Sequence, residues 1–280
     1  MPLTKITVSA GYQHFGLIFW QFAIAVALMG NVLILRGQLR KPSALQIRFA
    51  CLIAVIGTLL PNSASYQAAV HLPSGIISIL LSLIPMLAFP IALSLGNDRF
   101  SARKLIGLTL GFGAVVLIAA NSGSFEGDVT LWWIAVALVA PSFYALEGNV
   151  VAKWGTYGFD AIETLFWSSV FGLVPSLLLA LGTGQFIPVP TTWGPPEYAF
   201  LIIAVAHAVV YAGYVWLVSN AGPVFAAQVS YLVTIFGIFW AIVLLGEAYA
   251  SGIWLALALM LSGLFLVQPR ARETNEKALA

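Results

Sequence analysis

Charge is scarce in this sequence. Only 8% of its 280 residues are Asp, Glu, Lys or Arg, and 61% are hydrophobic, whereas soluble domains are about a quarter charged and about half apolar. A soluble chain of this composition would have almost nothing polar with which to cover its surface. The composition therefore predicts a protein that crosses the lipid bilayer several times. Because the basic residues form short clusters between apolar runs, we expect no nucleic-acid partner.

Motifs for catalysis and metal binding are also missing. The single cysteine, Cys51, lies inside an apolar run, so no intramolecular disulfide can form. The chain contains no GxxxxGK[ST] phosphate loop, no HExxH, no Cys/His metal spacing and no GxSxG. We therefore expect no cofactor, no metal site and no enzymatic activity. The alternative of an intramembrane hydrolase with His207 as base lacks a serine partner in any recognisable motif.

Long apolar runs dominate the chain. Each has about 17–25 residues, the length that a helix needs to cross about 30 Å of hydrocarbon. They are continuous rather than alternating, which favours helices over strands. The sequence thus predicts an all-α membrane protein with nine transmembrane helices. These cover residues 12–35, 49–70, 74–95, 102–121, 130–152, 161–182, 198–219, 223–245 and 251–268.

The basic residues predict an orientation. Eleven of the twelve lysines and arginines fall on one side of the nine-span arrangement, and the other side carries only Lys5. Since lysine and arginine accumulate in cytoplasmic loops, we expect a cytoplasmic C-terminal tail at residues 269–280. The odd number of spans would place the N-terminus outside. We expect a multi-pass protein of the cell (inner) membrane.

One pattern occurs twice, 150 positions apart. Its first copy contains Pro73, Gly96, Ser101 and Gly113, and its second contains Pro223, Gly246, Ser251 and Gly263. The copies lie five spans apart, so they have opposite orientations in the membrane. This predicts an inverted-repeat helical bundle, an arrangement typical of transporters because two pseudo-symmetric halves give two states of similar energy.

The repeated stretches also carry a family resemblance. They read YQAAVHLPSGIISILLSLIPM, LGNDRFSARKLIGLTLGFGAVVLI and LLGEAYASGIWLALALMLSGLFLV. Together they resemble the drug/metabolite transporter superfamily, in particular its EamA-type branch, in which a helix ends in Gly-Glu and the next helix carries spaced glycines. Gly246 and Glu247 match this pattern, whereas Gly96 is followed by Asn97 and the acid is lost.

The resemblance implies a transporter with two five-helix repeats, and this chain has four plus five. Residues 12–121 would be the first repeat without its first helix, and residues 130–268 the complete second repeat. We expect that a helix before Met1 is missing and that one wall of the central cavity is therefore open. The alternative is that the chain truly starts outside the membrane.

Glu147 is the first candidate binding residue, because it lies inside the fifth span. A charged carboxylate at that depth costs at least about 2.5 kcal/mol, so it should face a cavity or a partner. We interpret it as a proton-coupling or amine-binding group, with Tyr144 on the same helical face. The alternative is a carboxylate near the cytoplasmic end that pairs with Lys153.

Two further polar segments occupy equivalent spans of the two halves. The seventh span carries a stripe of His207, Tyr211 and Tyr214, spaced four and three residues apart. Its counterpart in the second span contributes the candidates Asn62, Ser63, Tyr66 and Gln67. Paired interruptions of this kind indicate a binding site near the membrane midplane. The alternative for any one tyrosine is helix packing or interfacial anchoring.

The remaining candidates are weaker or structural. Gln228 and Tyr231 in the eighth span could add another wall, and Trp20 and Gln21 are weaker candidates. We interpret Gly96 and Gly246 as glycines that permit a turn, with Pro73 and Pro223 opening the helices before them. We expect the Glu247 carboxylate to accept backbone N–H bonds at the start of the next helix.

Taken together, these features favour a secondary transporter that exports small organic metabolites, amino acids or related amphipathic compounds, by alternating access. Its partners would be a small-molecule substrate and the lipid bilayer, with possible proton coupling. One alternative is a multidrug or lipophilic-cation exporter coupled to protons, and another is a non-transporting membrane scaffold. A transporter should contain a polar-lined central cavity closed on one side, whereas a scaffold should have a packed core.

Overall fold

The computed structural model describes residues 1–121, 131–226 and 229–268, without the side chains of residues 212, 214–216 and 218–226. Every regular element in these ranges is helical. The helices are α1 (Pro2–Ser9), α2 (His14–Leu35), α3 (Ala44–Ile53), a π-helical segment (Ala54–Leu59), α4 (Leu60–His71), α5 (Ser74–Leu81), α6 (Ile84–Leu95), α7 (Ala102–Ala120), α8 (Leu131–Trp154), α9 (Ala161–Gly182), α10 (Pro195–Ala226), α11 (Val229–Leu245) and α12 (Ser251–Val267).

Six helical stretches are long and apolar enough to cross a membrane. They are His14–Leu35, Ala44–His71, Ser74–Leu95, Ala102–Ala120, Leu131–Trp154 and Ala161–Gly182. Three shorter apolar helices follow, at Pro195–Tyr211, Val229–Leu245 and Ser251–Val267. The predicted all-helical membrane protein is thereby confirmed, while the count of nine transmembrane helices and the inverted repeat stay predictions.

The first residues of the chain precede the first predicted span and are nevertheless helical. They form α1, which packs against α10, α4 and α5 and buries Thr4, Thr7 and Val8. Lys5 Nζ donates to the carbonyl oxygens of Val70 at 3.0 Å and Leu72 at 3.2 Å. The last carbonyls of a helix have no partner within it, so the lysine can satisfy the end of α4. The polar residues of α1 are therefore buried in the bundle or bonded to the end of α4.

Two helix boundaries also differ from the predicted spans. The predicted span at 74–95 is two helices, because a tight turn at Ser82 and Leu83 separates α5 from α6, whose first turn contains Pro85. In a continuous helix Pro85 would have no N–H for the carbonyl of Leu81, four residues earlier, and its ring would clash with that carbonyl. By contrast, the backbone of α10 continues through Pro223 to Ala226, so the expected break at Pro223 is absent from this described part of the chain.

Helix α5 lies at the centre of the bundle. Every residue from Ser74 to Leu80 is buried, and the helix packs against α11, α8, α1 and α4. Around it, α7 packs along α12, α2 along α9, and α4 along α8. We call the two ends of the bundle the Glu247 end, where α5 begins, and the Lys153 end, where α6 and α8 finish.

Candidate functional site

The second long helix is broken at its middle by a π-helical turn. Leu60 donates its backbone N–H to Val55, five residues back instead of four. Pro61 follows, which has no N–H and whose ring collides with the carbonyl four residues earlier, that of Gly57 in a regular helix. A widened turn relieves this clash, and π turns of this kind occur frequently at functional sites. The interruption therefore has a cause in the sequence.

Four polar side chains from three helices meet beside this turn. Gln21 of α2 accepts from Asn62 Nδ2 at 2.9 Å and from the Tyr66 hydroxyl at 3.0 Å. The side-chain amide oxygen of Asn62, Oδ1, in turn accepts from the Tyr144 hydroxyl of α8 at 2.6 Å. Gln21, Asn62 and Tyr66 are buried, and a satisfied buried network of this kind holds its members in fixed orientations. The hydrogen bond from its hydroxyl to Asn62 therefore fixes the orientation of the Tyr144 side chain.

Glu147 lies one turn beyond Tyr144, against the π-helical segment. A Cβ atom built on Gly57 would stand only 2.6 Å from Glu147 Oε1, so the carboxylate occupies the space that a side chain at residue 57 would need. No described residue donates a hydrogen bond to this carboxylate. Lys153 instead donates to the Leu95 carbonyl at 2.6 Å. The alternative interpretation of Glu147 as the ion-pair partner of Lys153 is therefore not what the structure shows.

The Glu147 side chain lines a cavity of about 900 Å³. Its walls are two helical stripes and the turn between α5 and α6. One stripe follows the second half of α8 from Tyr144 to Ala152, and the other follows the first turns of α11. The lining residues are Met1, Leu81, Ser82, Ile84, Tyr144, Glu147, Gly148, Val151, Ala152, Tyr211, Val229, Ser230, Val233 and Thr234. The cavity thus runs from the middle of the bundle toward the Lys153 end.

The predicted stripe on α10 is divided between two cavities. Tyr211 lines the Glu147 cavity and also a neighbouring open cavity of about 480 Å³, where it is joined by His207. The Tyr214 side chain lies outside the described residues. Tyr211 is therefore the member of the stripe that the structure brings to Glu147 and Tyr144.

Other candidates lie away from this cavity. Gln67 is exposed and donates to the carbonyl of Ser63 in its own helix at 3.2 Å. The hydroxyls of Ser63 and Tyr231 are buried, with no hydrogen-bond partner among the described residues. Gln228 lies outside the described residues. Of the predicted wall on α11, the structure places Ser230 and Thr234 at the cavity rather than Tyr231.

The two corner glycines end their helices in the same way. Gly96 after α6 has φ +73° and Gly246 after α11 has φ +66°, a left-handed conformation that glycine adopts without steric cost. Pro73 directly precedes the first residue of α5. Pro223 lies within the backbone of α10, not at its start.

Glu247 was expected to cap the next helix, and the structure corrects this. Its carboxylate accepts the N–H of Ser74 at 2.7 Å and that of Gly75 at 3.1 Å, so it caps α5 in the first half of the chain. The Tyr249 hydroxyl bonds the same carboxylate. The first N–H groups of α5 are as free as those of α12, and the packing of α11 along α5 brings the acid to them.

Several residues of the site were undervalued or missed from the sequence. Gln21, the acceptor at the centre of the polar cluster, was only a weaker candidate. Gly57, Ser230 and Thr234 were not candidates at all. Ser230 and Thr234 are four residues apart, a spacing that puts them on one helical face and was the available signal. The sequence around Gly57 contains no signal that a carboxylate from α8 lies against this residue.

Comparisons with known proteins agree with this architecture. A curated relative, the uncharacterized transporter YvbV of Bacillus subtilis (strain 168), is 24% identical over 265 residues, covering 92% of this chain and 85% of the relative. A solved structure described only as "Crystal structure of protein" is 19% identical, with a TM-score of 0.57, and the match covers 94% of this chain and 91% of that one. The latter similarity shows a shared fold.

The family comparison covers nearly the whole described chain. The model of the EamA-like transporter family matches residues 1–120 and 131–268, and the first of these ranges includes α1. The resemblance to the drug/metabolite transporter superfamily is confirmed. The chain therefore belongs to the EamA-like transporter family and is a multi-pass membrane protein.

Proposed function

We propose that this chain is a secondary transporter that exports small organic metabolites, amino acids or related amphipathic compounds, through the Glu147 cavity. The observation that carries the proposal is the unpaired carboxylate of Glu147 in a cavity of about 900 Å³, to which no described residue donates a hydrogen bond. A carboxylate left without a partner inside a membrane protein is costly. An ammonium group of the substrate, or a proton, would supply the missing partner.

The side chains around Glu147 support an amine-bearing substrate with an apolar part. Tyr144 and Tyr211 place aromatic rings beside the carboxylate, and such rings attract cations over their faces and stack on flat apolar groups. Among the described residues that line the cavity there is no lysine or arginine. A phosphate or nucleotide-sugar substrate, which basic residues usually bind, is therefore a poor match.

The shape of the bundle supports alternating access. At the Glu247 end α5 is buried along its whole length from Ser74 to Leu80, while the cavity extends along α8 as far as Ala152 near the Lys153 end. The described lining of the cavity thus extends toward the Lys153 end, and buried α5 lies on the side of the Glu247 end. If the two halves are inverted repeats, exchanging their conformations would close the cavity toward one end and open it toward the other. A scaffold with a packed core would leave no such space.

We propose that the protein lies in the inner membrane with the Lys153 end and the C-terminal tail in the cytoplasm, as the basic residues indicate. Single cysteines test this orientation in a Cys51→Ser background, since Cys51 is exposed. A cysteine at Gly184 should react with an impermeant reagent added outside. A cysteine at Ser101 should react only after the membrane is permeabilised, and labelling of both from the same side would contradict the inverted arrangement.

The alternative is a lipophilic-cation exporter coupled to protons, and Glu147 favours it as much as it favours amino-acid export. Proton and cationic amine would compete for the same carboxylate, and such competition is sufficient to couple their movements. The two candidates differ in substrate, not in site. Counterflow with reconstituted protein against a panel of labelled amino acids and organic cations would separate them.

The decisive variant is Glu147→Gln, which keeps the shape of the side chain and removes its charge. Transport into proteoliposomes from about pH 5.5 to about pH 8.5 should lose its pH dependence, and amine substrates should bind more weakly. Tyr211→Ala should weaken binding and leave the pH profile unchanged, because stacking does not titrate.

The matched control is Glu163→Gln, which removes an acid from the exposed first turn of α9 and keeps a residue type that can complete the capping box there. It should transport like the native chain. An unaltered pH profile in Glu147→Gln would reduce Glu147 to a structural carboxylate. Absence of counterflow with every compound, from protein that remains folded, would favour the scaffold instead.

A further inference from the structure

A second cavity lies at the Glu247 end of the bundle, on the opposite side of the molecule from the route to Glu147. It has a volume of about 240 Å³ and lies between the start of α2, the start of α10 and the proline-rich link at residues 183–194. None of its lining residues belongs to the Glu147 cavity. It is therefore a separate space in the fold.

The link that covers this cavity is held in place at several points. Trp20 Nε1 donates to the Ile187 carbonyl at 2.8 Å, and the backbone N–H of Phe15 donates to Gln185 Oε1 at 3.1 Å. At Gly16 the backbones come so close that a Cβ atom would stand 2.2 Å from the Gln185 carbonyl oxygen. The link is thus fixed against α2 and covers the cavity.

Four aromatic rings and five aliphatic side chains form the wall, and one charged group lies among them. The rings belong to Tyr12, Trp20, Trp193 and Phe200, and the charged group is Glu197. Trp193 is 46% exposed and lies at the mouth of the cavity. No lysine or arginine is among the described residues that line it.

The Glu197 carboxylate is held in position by the surrounding protein. The Tyr12 hydroxyl bonds Oε1, and the backbone N–H of Gly194 donates to Oε2 at 2.8 Å. The hydrogen bond from Tyr12, followed by that from Gly194, keeps the pKa of Glu197 below its usual value. The Glu197 carboxylate is therefore a fixed negative charge beside the chamber, whose accessible lining is apolar.

We propose that this chamber binds a small organic cation, an ammonium group with an apolar substituent, at a site separate from the Glu147 cavity. Aromatic faces around an ammonium group form the usual protein site for quaternary amines, and the carboxylate adds charge complementarity. An interfacial belt also contains tryptophan and tyrosine. Here, however, the indole N–H of Trp20 and the hydroxyl of Tyr12 bond to the protein, and their rings line an internal space.

The size of the chamber limits the ligand. Drug-sized ligands occupy pockets of roughly 300–1,000 Å³, so a cavity of about 240 Å³ suits a compact amine with one ring or short alkyl groups. The same ammonium chemistry occurs in free amines and in the headgroup of phosphatidylethanolamine. The position of the chamber at one end of the bundle makes both accessible.

Benzyltrimethylammonium is a suitable probe, with neopentylbenzene as its uncharged isostere. Calorimetry on the full chain in phosphatidylglycerol nanodiscs should show saturable binding of the cation and not of the isostere. Glu197→Gln keeps the shape of the side chain, since its amide oxygen can accept from the Gly194 N–H and its NH2 group can donate to the Tyr12 hydroxyl. Loss of the charge should weaken binding of the cation by about three- to tenfold, as expected for one partly exposed charge contact.

A second variant and a control keep the test independent of folding defects and of the central cavity. Val189→Trp, in the exposed link, should fill the chamber and abolish binding without changing its charge. Glu147→Gln should leave binding at this site unchanged. If the probe binds equally to native chain, Glu197→Gln and Val189→Trp, or is lost only in Glu147→Gln, the chamber is not a cation site, whether or not the protein transports.

The source of the natural ligand follows from the lipid composition. Replacing half of the phosphatidylglycerol by phosphatidylethanolamine should weaken probe binding to the native chain if the lipid headgroup occupies the chamber. An unchanged affinity identifies free amines as the ligand. Both results retain the cation site. Equal binding of the uncharged isostere would overturn it.

Discussion

The corners after α6 and after α11 have the same backbone conformation at a glycine, and they differ in the residue that follows it. Gly96 and Gly246 adopt nearly the same left-handed conformation. After them, Asn97 donates from Nδ2 to the carbonyl of Asn149 at 2.9 Å, whereas Glu247 accepts two backbone N–H groups of α5. One corner presents a donor and the other presents an acceptor.

The difference follows from what each corner meets. Glu247 meets the start of a helix, where free N–H groups and the helix dipole favour a negative charge. Asn97 meets the backbone and side-chain oxygens of Asn149 on α8, which accept from its amide. Lys153 likewise donates to the last carbonyl of α6. Two turns of similar backbone conformation thus carry side chains of opposite hydrogen-bonding character.

The two corners also make the two ends of the bundle unlike in the strength of their contacts. At the Glu247 end a charged acceptor joins α11 to α5, and the charge makes its hydrogen bonds the stronger kind. At the Lys153 end the contact made by Asn97 is between neutral groups, and the Glu147 cavity extends toward that end. We expect the Glu247 corner to hold its end closed more firmly than the Asn97 corner holds the other.

Removing the charged cap should have the largest effect. Glu247→Ala leaves the N–H groups of Ser74 and Gly75 buried without an acceptor, so we expect it to lower the free energy of unfolding by about 3 kcal/mol. Thermal or denaturant unfolding in detergent measures the loss. Tyr249→Phe, which keeps both backbone bonds of Glu247, should cost about 1 kcal/mol. Equal losses in the two variants would contradict the assigned role of the cap.

Exchanging the two side chains should not be tolerated. Asn97→Glu directs a carboxylate at the carbonyl of Asn149 and should destabilise the protein by about 2 kcal/mol, measured in the same way. In the double variant with Glu247→Asn the two losses should add, because the corners are distant and share no partner. Recovery in the double variant would show that the corners communicate.

Substitution of the two corner glycines tests whether the backbones of the two corners are equivalent. Gly96→Ala and Gly246→Ala each force a Cβ atom into the left-handed region, at a cost of about 1–2 kcal/mol. We expect the two unfolding free energies to fall by equal amounts. Gly148→Ala is the matched control, because that helical glycine has ordinary φ and a Cβ built on it meets nothing within 4 Å. A markedly larger loss of unfolding free energy at one corner would show that the packing around that glycine, and not its φ angle, determines the effect of the substitution.

The smallest effect concerns an ion pair found at the Asn97 corner, between Lys104 and Asp98. Partial burial would raise the pKa of Asp98, but the bonds from Lys104 and from the Arg99 N–H outweigh it and hold the pKa below its ordinary value of 3.8. The contribution to stability is therefore complete above that value and is lost as the pH falls below it.

Both side chains of this pair are about one third exposed, so the contribution at neutral pH should be under about 1 kcal/mol. Unfolding of native chain and of Asp98→Asn, compared at about pH 7 and about pH 3, should differ only at the higher pH. A difference that persists at the lower pH would assign the effect of Asp98→Asn to something other than its charge.

Much of the molecule follows from local chemistry. The apolar runs had to become helices because backbone groups in hydrocarbon must bond within their own segment. Pro61 favours an irregular turn for a reason contained in its own ring, although Pro90, Pro141 and Pro175 lie inside α-helices. The corner glycines and the capping box of α9, formed by Asp160 and Glu163, are equally local. The sequence predicts such features because all the interacting atoms lie within a few residues.

Only the tertiary structure decided which partners meet. Glu247 was recognised as a helix-capping acid, but the helix that it caps begins 173 residues earlier in the chain. Glu147 was recognised as a candidate, but its position against Gly57 depends on how α8 crosses the π-helical turn. Gln21 became the centre of a polar cluster because α2, α4 and α8 pack together there. A hydrogen bond or a close contact depends on distances of about 3 Å, and between segments far apart in sequence those distances are set by the packing of whole helices.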